Sequence, residues 1–415
     1  MTAVEIAKGV FWVGAIDWDI RNFHGYETRK GTTYNAYLIL DKKTVLVDTV
    51  KEPYKETLVE NISKITSLEK LDYVIVNHVE PDHSGSLEHV MQHAKNAIIV
   101  TSKRGKDELE KYYSTNGWNF QVVKTGDEIN LGSRTLTFVE VPMLHWPDSM
   151  FTFLKENMIL MPNDAFGQHL ATSQRFDDQV DQSLLMNEAA KYFANILMPY
   201  SLLIPRKIEE IRRLGIEPKI IAPSHGVIWR SNPEKIVKAY IDWSEGKTRS
   251  KAVIVYDTMW GSTKKMADAI CLTIGNRGVE VHLFNMRKSD YAEVLKEILE
   301  SKAVILGSST LNSSMLPSIS AFLTYVIGLR PKNKIWACFG SYGWGGGAVR
   351  TIMEMLKAAK FDVIEPTVQV QFAPSREELK MCRDLGQKIA DAILGSANTK
   401  GQVALKEVEE NDIED

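Results

Sequence analysis

A chain of 415 residues exceeds what one hydrophobic core usually organises, so two domains are expected. Hydrophobic content of 44%, charged content of 25% and a net charge of −3 describe an ordinary globular protein with no basic surface for nucleic acid. The start MTAVEIAKGVFWVG does not read as a secretion signal, and no apolar run is long enough to cross a bilayer. Three scattered cysteines, Cys271, Cys338 and Cys382, argue against a disulfide framework and suit a reducing cytoplasm. With no C-x-x-C pair, the chain has no rubredoxin-type iron centre of its own.

Taken in order, residues 1–249 alternate short apolar strands with helices. LDYVIVN, NAIIVT, LTFVEV, NMILMPN and KIIAPS read as strands, SGSLEHVMQHA and KIEEIRRLG as helices. A polar bridge, SEGKTRSK, precedes a new start at AVIVYDTMWGSTKKMADAI. From there strand and helix alternate regularly through VEVHLFNM, DYAEVLKEILE, KAVILGSS, KIWACFG and AVRTIMEMLKAA, which predicts a parallel sheet covered on both faces over residues 250–396. Residues 397–415 are acidic and poor in apolar groups, and read as a disordered tail.

The segment VNHVEPDHSGS crowds His78, Glu80, Asp82 and His83 into six positions after an apolar strand. His145 follows LTFVEV, Asp164 follows MILMP, and His225 follows KIIAP. Strand ends of one sheet lie close together, so these side chains can converge on one point. Four imidazoles and three carboxylates are too many for one tetrahedral ion but enough for two ions bridged by a carboxylate. Three carboxylates offset most of the charge of two divalent cations, and Glu80 moves the preference from zinc toward iron or manganese. His89 and His93 sit at i, i+4 without the glutamate of an H-E-x-x-H motif and read as ordinary helix residues, while His169 and His282 have no supporting company.

The pattern His-x-Glu-x-Asp-His, followed by His145, Asp164 and His225, resembles the flavodiiron proteins. Intervals of 61, 18 and 60 residues separate His83, His145, Asp164 and His225. The resemblance implies an α/β chain: a metallo-β-lactamase-like αββα sandwich, then a flavodoxin-like doubly wound parallel sheet. It also implies that His78, Glu80 and His145 hold one iron, Asp82, His83 and His225 the other, and Asp164 bridges them. It places His24 and Tyr192 beside the metal pocket as hydrogen-bond donors.

A second constellation lies in DTMWGSTKKMA, which joins a buried strand to a helix. Its hydroxyls and backbone N–H groups suit a phosphate, and it is neither a P-loop nor a dinucleotide fingerprint. GSSTLNSSMLP and FGSYGWGGGAV follow later strands and can flank a flat ring. Together the three loops resemble the flavodoxin arrangement for FMN. By that resemblance Thr258, Met259, Gly261, Ser262 and Thr263 cradle the phosphate, with Ser309, Thr310 and Asn312 on one side of the isoalloxazine. Ser341, Tyr342, Gly343, Trp344, Gly345 and Gly346 line the other side.

The resemblance implies that electrons enter at FMN and that O2 is reduced to water, or NO to N2O, at two non-haem irons. The donor is external, either rubredoxin or a reduced deazaflavin such as F420H2. A head-to-tail homodimer, or a dimer of such dimers, brings the FMN of one subunit to the diiron centre of the other. Two rival readings are a di-zinc hydrolase fused to a flavodoxin-like module, and an electron carrier whose first domain only docks. Glu80 and the flavin loops weigh against the first, and the full ligand set against the second.

Overall fold

The computed structural model describes residues 3–411 and divides into two compact units, one ending at Ser244 and the other beginning at Glu245. In the first unit a seven-stranded sheet runs in the spatial order Val4–Ala7, Val10–Trp12, Tyr37–Leu40, Thr44–Val47, Tyr73–Ile75, Ile98–Thr101 and Asn119–Val122. Its first four strands pair antiparallel and the rest parallel. A five-stranded sheet follows, in the order Glu128–Asn130, Thr135–Glu140, Met150–Leu154, Ile159–Met161 and Ile220–Ile221.

Alternation along the strands explains the layering. Tyr37, Ile39, Val45 and Val47 face one way and pack with Leu136, Phe138, Met150 and Leu154 of the second sheet. Leu38 and Leu46 face the other way, onto Leu58, Ile62, Leu87 and Val90 of the helices Lys55–Ser63 and Leu87–His93. Each fully buried aliphatic side chain contributes about 1.5–3 kcal/mol, so both faces of the first sheet are sealed by burial alone. The helices Ile204–Arg213 and Pro233–Ser244 lie over Leu160 and Ile221 of the second sheet, completing an αββα sandwich. The five strands read from sequence in this unit all form. The three hairpins and other antiparallel strands of the first fifty residues were not anticipated, because strands of two to four residues carry too little period-2 signal.

In the second unit the strands Lys251–Asp257, Glu280–Asn285, Ala303–Leu311, Ile335–Tyr342 and Asp362–Val363 come first to fifth in the chain. In space they run second, first, third, fourth, fifth, all parallel. This is the flavodoxin order, with its switch point between the first and third strands. The fifth position is continued by Val368–Gln371, after an interruption at Pro366 that cannot donate to the ladder. The last helix spans Arg376–Asn411 and so continues where the sequence suggested disorder. Its ALKEVEE stretch is made of good helix formers despite the low hydrophobicity. Residues 412–415 of that tail lie outside the described residues. Among the described residues no helix is long and apolar enough to cross a membrane.

Candidate metal centre and flavin loops

Beyond the strand Tyr73–Ile75 the chain turns and starts a short helix, Pro81–Ser84, with proline at its first position. Proline there loses no hydrogen bond, since the first N–H groups of a helix have no intrahelical partner. The turn sends His78, Asp82 and His83 inward, where all three are buried. His145, Asp164 and His225 follow the strands Thr135–Glu140, Ile159–Met161 and Ile220–Ile221 and arrive at the same place.

Asp164 occupies the middle. Its Oδ2 lies 3.0 Å from His145 Nε2 and 3.7 Å from His78 Nε2. Its Oδ1 lies 3.2 Å from His83 Nε2 and 3.3 Å from His225 Nε2. Glu80 Oε2 completes the first set, 3.3 Å from His78 and 3.4 Å from His145. Asp82 Oδ2 completes the second, 3.1 Å from both His83 and His225. The seven side chains thus form two donor sets that share one carboxylate, each set facing a different oxygen of it.

The donors fit metal ions better than they fit one another. Both oxygens of Asp82, both ring nitrogens of His83 and Nε2 of His225 are buried and make no hydrogen bond. Several lie within 3.3 Å of a potential partner and are still misaligned. Lone pairs that converge on a common centre give that geometry. Buried donors left this way carry a desolvation penalty that a cation would relieve.

Outer contacts fix the rings. His78 Nδ1 lies 2.9 Å from Asp148, a buried carboxylate that also accepts from the Val79 N–H at 2.7 Å. His225 Nδ1 donates to the Thr33 carbonyl at 2.6 Å. Each contact commits Nδ1 and turns Nε2 toward the centre. The Tyr192 hydroxyl and Ser224 Oγ both donate to Asp164 Oδ1 at 3.0 Å. Asp148 was not singled out from the sequence, although it stands three residues after His145 in HWPDS.

Charge follows the same layout. Burial would lower the histidines, but Asp164 and Glu80 raise His145 to about 9. Asp164 and Asp82 raise His225 to about 10 against the same penalty. Burial would raise the acids, yet His145 and His78 draw Glu80 down to about 2. Asp82 and Asp164 are likewise held well below the usual carboxylate range, chiefly by His83. Protons here stand where cations would.

His24 reaches the cluster from a separate hairpin, Asn22–Phe23 with Tyr26–Glu27. His24 and Gly25 form its two-residue turn with φ of +52° and +80°, the mirror-type geometry that matches strand twist. The His24 Nε2 lies 3.6 Å from Asp82 Oδ2 and 3.8 Å from Glu80 Oε1, and its ring stacks on Phe23 at 4.0 Å. His169, which seemed isolated in the sequence, belongs here too. Its Nε2 is 3.2 Å from His24 Nδ1 and its Nδ1 is 2.8 Å from Thr32 Oγ1. Only tertiary packing brings it there, from 145 positions away. His89 and His93 stack edge to face at 5.2 Å and join no three-ligand group among the described residues.

In the second unit the three loops meet through their hydroxyls. Thr263 Oγ1 lies 2.9 Å from Ser309 Oγ and 2.8 Å from Ser341 Oγ. Thr258 Oγ1 accepts from the Gly261 N–H at 3.1 Å, closing the turn before the helix Ser262–Asn276. Gly261 has φ of +88°, and a Cβ there would meet nothing within 4 Å, so the space at this helix N-terminus is open. Asn312 lies at the tip of a hairpin, since the strand Ala303–Leu311 folds back onto Ser314–Met315. The segment read as an open loop is therefore partly sheet. The Ala348 N–H donates to Thr310 Oγ1 at 3.3 Å. Gly343 to Gly346 follow the strand end at Tyr342, and Gly343 accepts from Gln371 Nε2 at 2.8 Å. Met259, Trp260, Trp344 and Phe372 stand exposed around these loops, Trp260 and Phe372 being additions to the sequence reading.

The ODP family beta lactamase profile matches residues 32–226, and the flavodoxin profile matches residues 254–386. A nitric oxide reductase of Moorella thermoacetica is 53% identical over 94% of this chain and 98% of its own length. An anaerobic nitric oxide reductase flavorubredoxin of Vibrio vulnificus is 40% identical over 93% of this chain and 79% of its own length. Among solved structures, the rubredoxin oxygen:oxidoreductase of Desulfovibrio gigas aligns with a TM-score of 0.92 and 39% identity, over 95% of this chain and 99% of that one. The flavodiiron protein of Giardia intestinalis aligns at 0.93 and 36%, over 96% and 98%. Two matched units in this order, and relatives spanning nearly the whole chain, lead to one conclusion: the chain belongs to the flavodiiron proteins.

Proposed function

We propose that this chain is an oxidoreductase that reduces O2 to water, NO to N2O, or both, at two non-haem irons fed by FMN. The balances are O2 with four electrons and four protons giving two waters, and two NO with two electrons and two protons giving N2O and water. The observation that carries the reading is Asp164, whose two oxygens face separate donor sets. His78, Glu80 and His145 would hold one iron, Asp82, His83 and His225 the other. When bound, the irons would supply Lewis acidity and electrons, and FMN would accept electron pairs and pass them on singly. Names of relatives support the pair of substrates: nitric oxide reductase on one side, rubredoxin oxygen:oxidoreductase on the other.

The chain's own residues do the rest. Asp148 and Thr33 hold His78 and His225 in the orientation that presents Nε2. Tyr192 steadies Asp164 through its hydroxyl. His24, with Nε2 buried and unbonded beside Asp82 and Glu80, is the group poised to hydrogen-bond a reacting diatomic molecule. Phe23, stacked on its ring, keeps water from that face. In the second unit Thr258, Met259, Gly261, Ser262 and Thr263 would hold the FMN phosphate. Ser309, Thr310 and Asn312 would line one side of its ring, and Ser341 to Gly346 the other.

The exposed rim of Met259, Trp260, Trp344 and Phe372 supports a head-to-tail homodimer, because large aromatic groups so placed favour burial against a partner. An external donor, rubredoxin or F420H2, would supply electrons. The unpaired cysteines fit a cytoplasmic setting. The hydrolase reading is not favoured, since the relatives are named as reductases and a flavodoxin profile covers the second unit.

The test is elemental analysis of protein purified without added metal, then anaerobic stopped-flow mixing of the reduced protein with O2 and with NO. Two irons and one FMN per chain, with flavin reoxidation by at least one gas, are expected. Zinc in place of iron, or reduced flavin inert to both gases, would overturn the reading.

A further inference from the structure

Beneath the helix Ile204–Arg213 the first unit holds two cavities. Ile204, Ile208 and Ile211 form one apolar stripe at i, i+4 and i+7, which turns the helix toward them. The outer cavity, about 440 Å³, is walled by Met158, Leu160, Ile221 and Val237 and by the charged residues Arg212, Glu217, Lys219 and Glu234, of which Arg212 and Glu234 pair at 2.7 Å. The inner one, about 20 Å³, is walled by Leu144, Phe151, Ala165, Leu197 and Tyr240. Phe166, Ile208 and Ile211 line both, so the two abut.

Three facts fix what the inner cavity can take. Its polar wall groups are already engaged: the Phe166 N–H donates to the Tyr240 hydroxyl at 2.8 Å, and Lys207 Nζ donates to the Glu140 carbonyl at 3.0 Å. A water there would lack the two to four polar partners it needs. The volume is that of roughly one small molecule. Two walls of the inner cavity are chain neighbours of metal-centre residues. Leu144 precedes His145 and Ala165 follows Asp164. Leu197 closes the π-helical turn Phe193–Leu197, directly after the Tyr192 that touches Asp164. Such turns are rare and gather at functional sites.

We infer that these two cavities form one conduit, charged in its outer lining and apolar in its inner chamber, that brings a small diatomic gas from the surface to the metal centre. This rests on the proposed reaction, whose substrates are both small and weakly polar. Phe166 lines both chambers, together with Ile208 and Ile211. Its backbone is fixed on both sides, by the Tyr240 hydroxyl and by Trp229 Nε1, which donates to its carbonyl at 2.9 Å.

Xenon-pressurised crystals of the loaded protein test the conduit without reference to activity. Xenon is expected beside Phe166, Ile208 and Ile211, and an empty map there overturns the inference. Ile208→Phe should exclude that xenon and lower kcat/KM for the gas about tenfold, with kcat at saturating gas, flavin reduction and iron content unchanged. Because overpacking can impair folding, Val237→Phe in the outer chamber provides the second variant. Unaltered gas dependence in a variant that has lost its xenon also overturns the conduit. Wild-type protein that turns over neither O2 nor NO would instead strike the proposed reaction, leaving the xenon map to decide the conduit.

Discussion

The two units treat their polar groups in opposite ways. In the first, buried donors are held apart: Asp82, His83 and His225 each leave buried atoms without a hydrogen bond, although acids and imidazoles stand within 3.3 Å. In the second, Thr263, Ser309 and Ser341 satisfy one another through hydroxyl contacts of 2.8–3.3 Å. The difference follows from what each would bind. A divalent cation repays the burial of charges that nothing else repays, so its site must be prebuilt and enclosed. A planar ring and a phosphate are met by backbone and hydroxyl groups at an open rim, which can relax when the ligand leaves.

The largest break in that contrast comes at Asp164. Asp164→Asn keeps the shape but removes the charge that both donor sets share. Iron content should fall well beyond the 10–100-fold affinity loss typical of outer-contact changes, with FMN content unchanged. Metal analysis and the flavin spectrum measure both. Two irons retained in this variant would mean that the sets do not depend on a common ligand. A smaller effect is expected at Asp148, which meets the centre through the far nitrogen of His78 and also accepts from the Val79 N–H. Asp148→Ala should weaken iron binding roughly 10–100-fold, read by titration against a chelator. A change confined to thermal stability would mark it as a packing residue.

The pH dependence of the iron-free protein sharpens the comparison further. His145 and His225 sit at about 9 and about 10 when folded, above about 6.5 for the unfolded chain. Their contribution is therefore full below about 6.5 and is lost as pH rises through 9 and then 10. Glu80 runs the other way: its contribution holds above about 4.3 and is lost as pH falls through about 2. Melting of iron-stripped protein should thus decline on the alkaline side, and iron uptake should release protons and tighten with pH. Iron-loaded protein should lack the alkaline decline. A melting temperature that rises across that window in the stripped protein would contradict the charge layout.

The legibility of the two regions from sequence differed for related reasons. Typed residues immediately after apolar strands announced themselves, because strand ends are the one place where distant segments meet predictably. The seven side chains that the structure brings together were visible in this way, and the alternation of the second unit was regular enough to give its sheet. What escaped was defined by contact rather than by spacing. His169 gains meaning only when it lies 3.2 Å from His24, and Asp148 only when it lies 2.9 Å from His78. The hairpin carrying His24 was equally hidden, since its strands are two residues long and no period can be read from them. The cavities under Ile204–Arg213 leave no sequence mark, because a stripe of isoleucines looks the same whether or not the space behind it is filled.

The smallest expected effect lies in the flavin loops, and its smallness is the point. Thr263 is fully buried and links Ser309 to Ser341. Thr263→Val keeps the shape and removes the hydroxyl, yet Ser309 and Ser341 remain 3.3 Å apart and can still pair with each other. Two contacts of Thr263 are lost but no buried hydroxyl is stranded, so the cost to FMN is the one hydrogen bond the hydroxyl would make to its phosphate, about 1.4 kcal/mol, or roughly tenfold in FMN dissociation constant. Iron content should not change. Fluorescence titration of flavin-stripped protein measures the shift. A loss of a hundredfold or more would mean that the hydroxyl cluster is as intolerant as the metal centre, and the contrast between a prebuilt cage and a forgiving rim would fail.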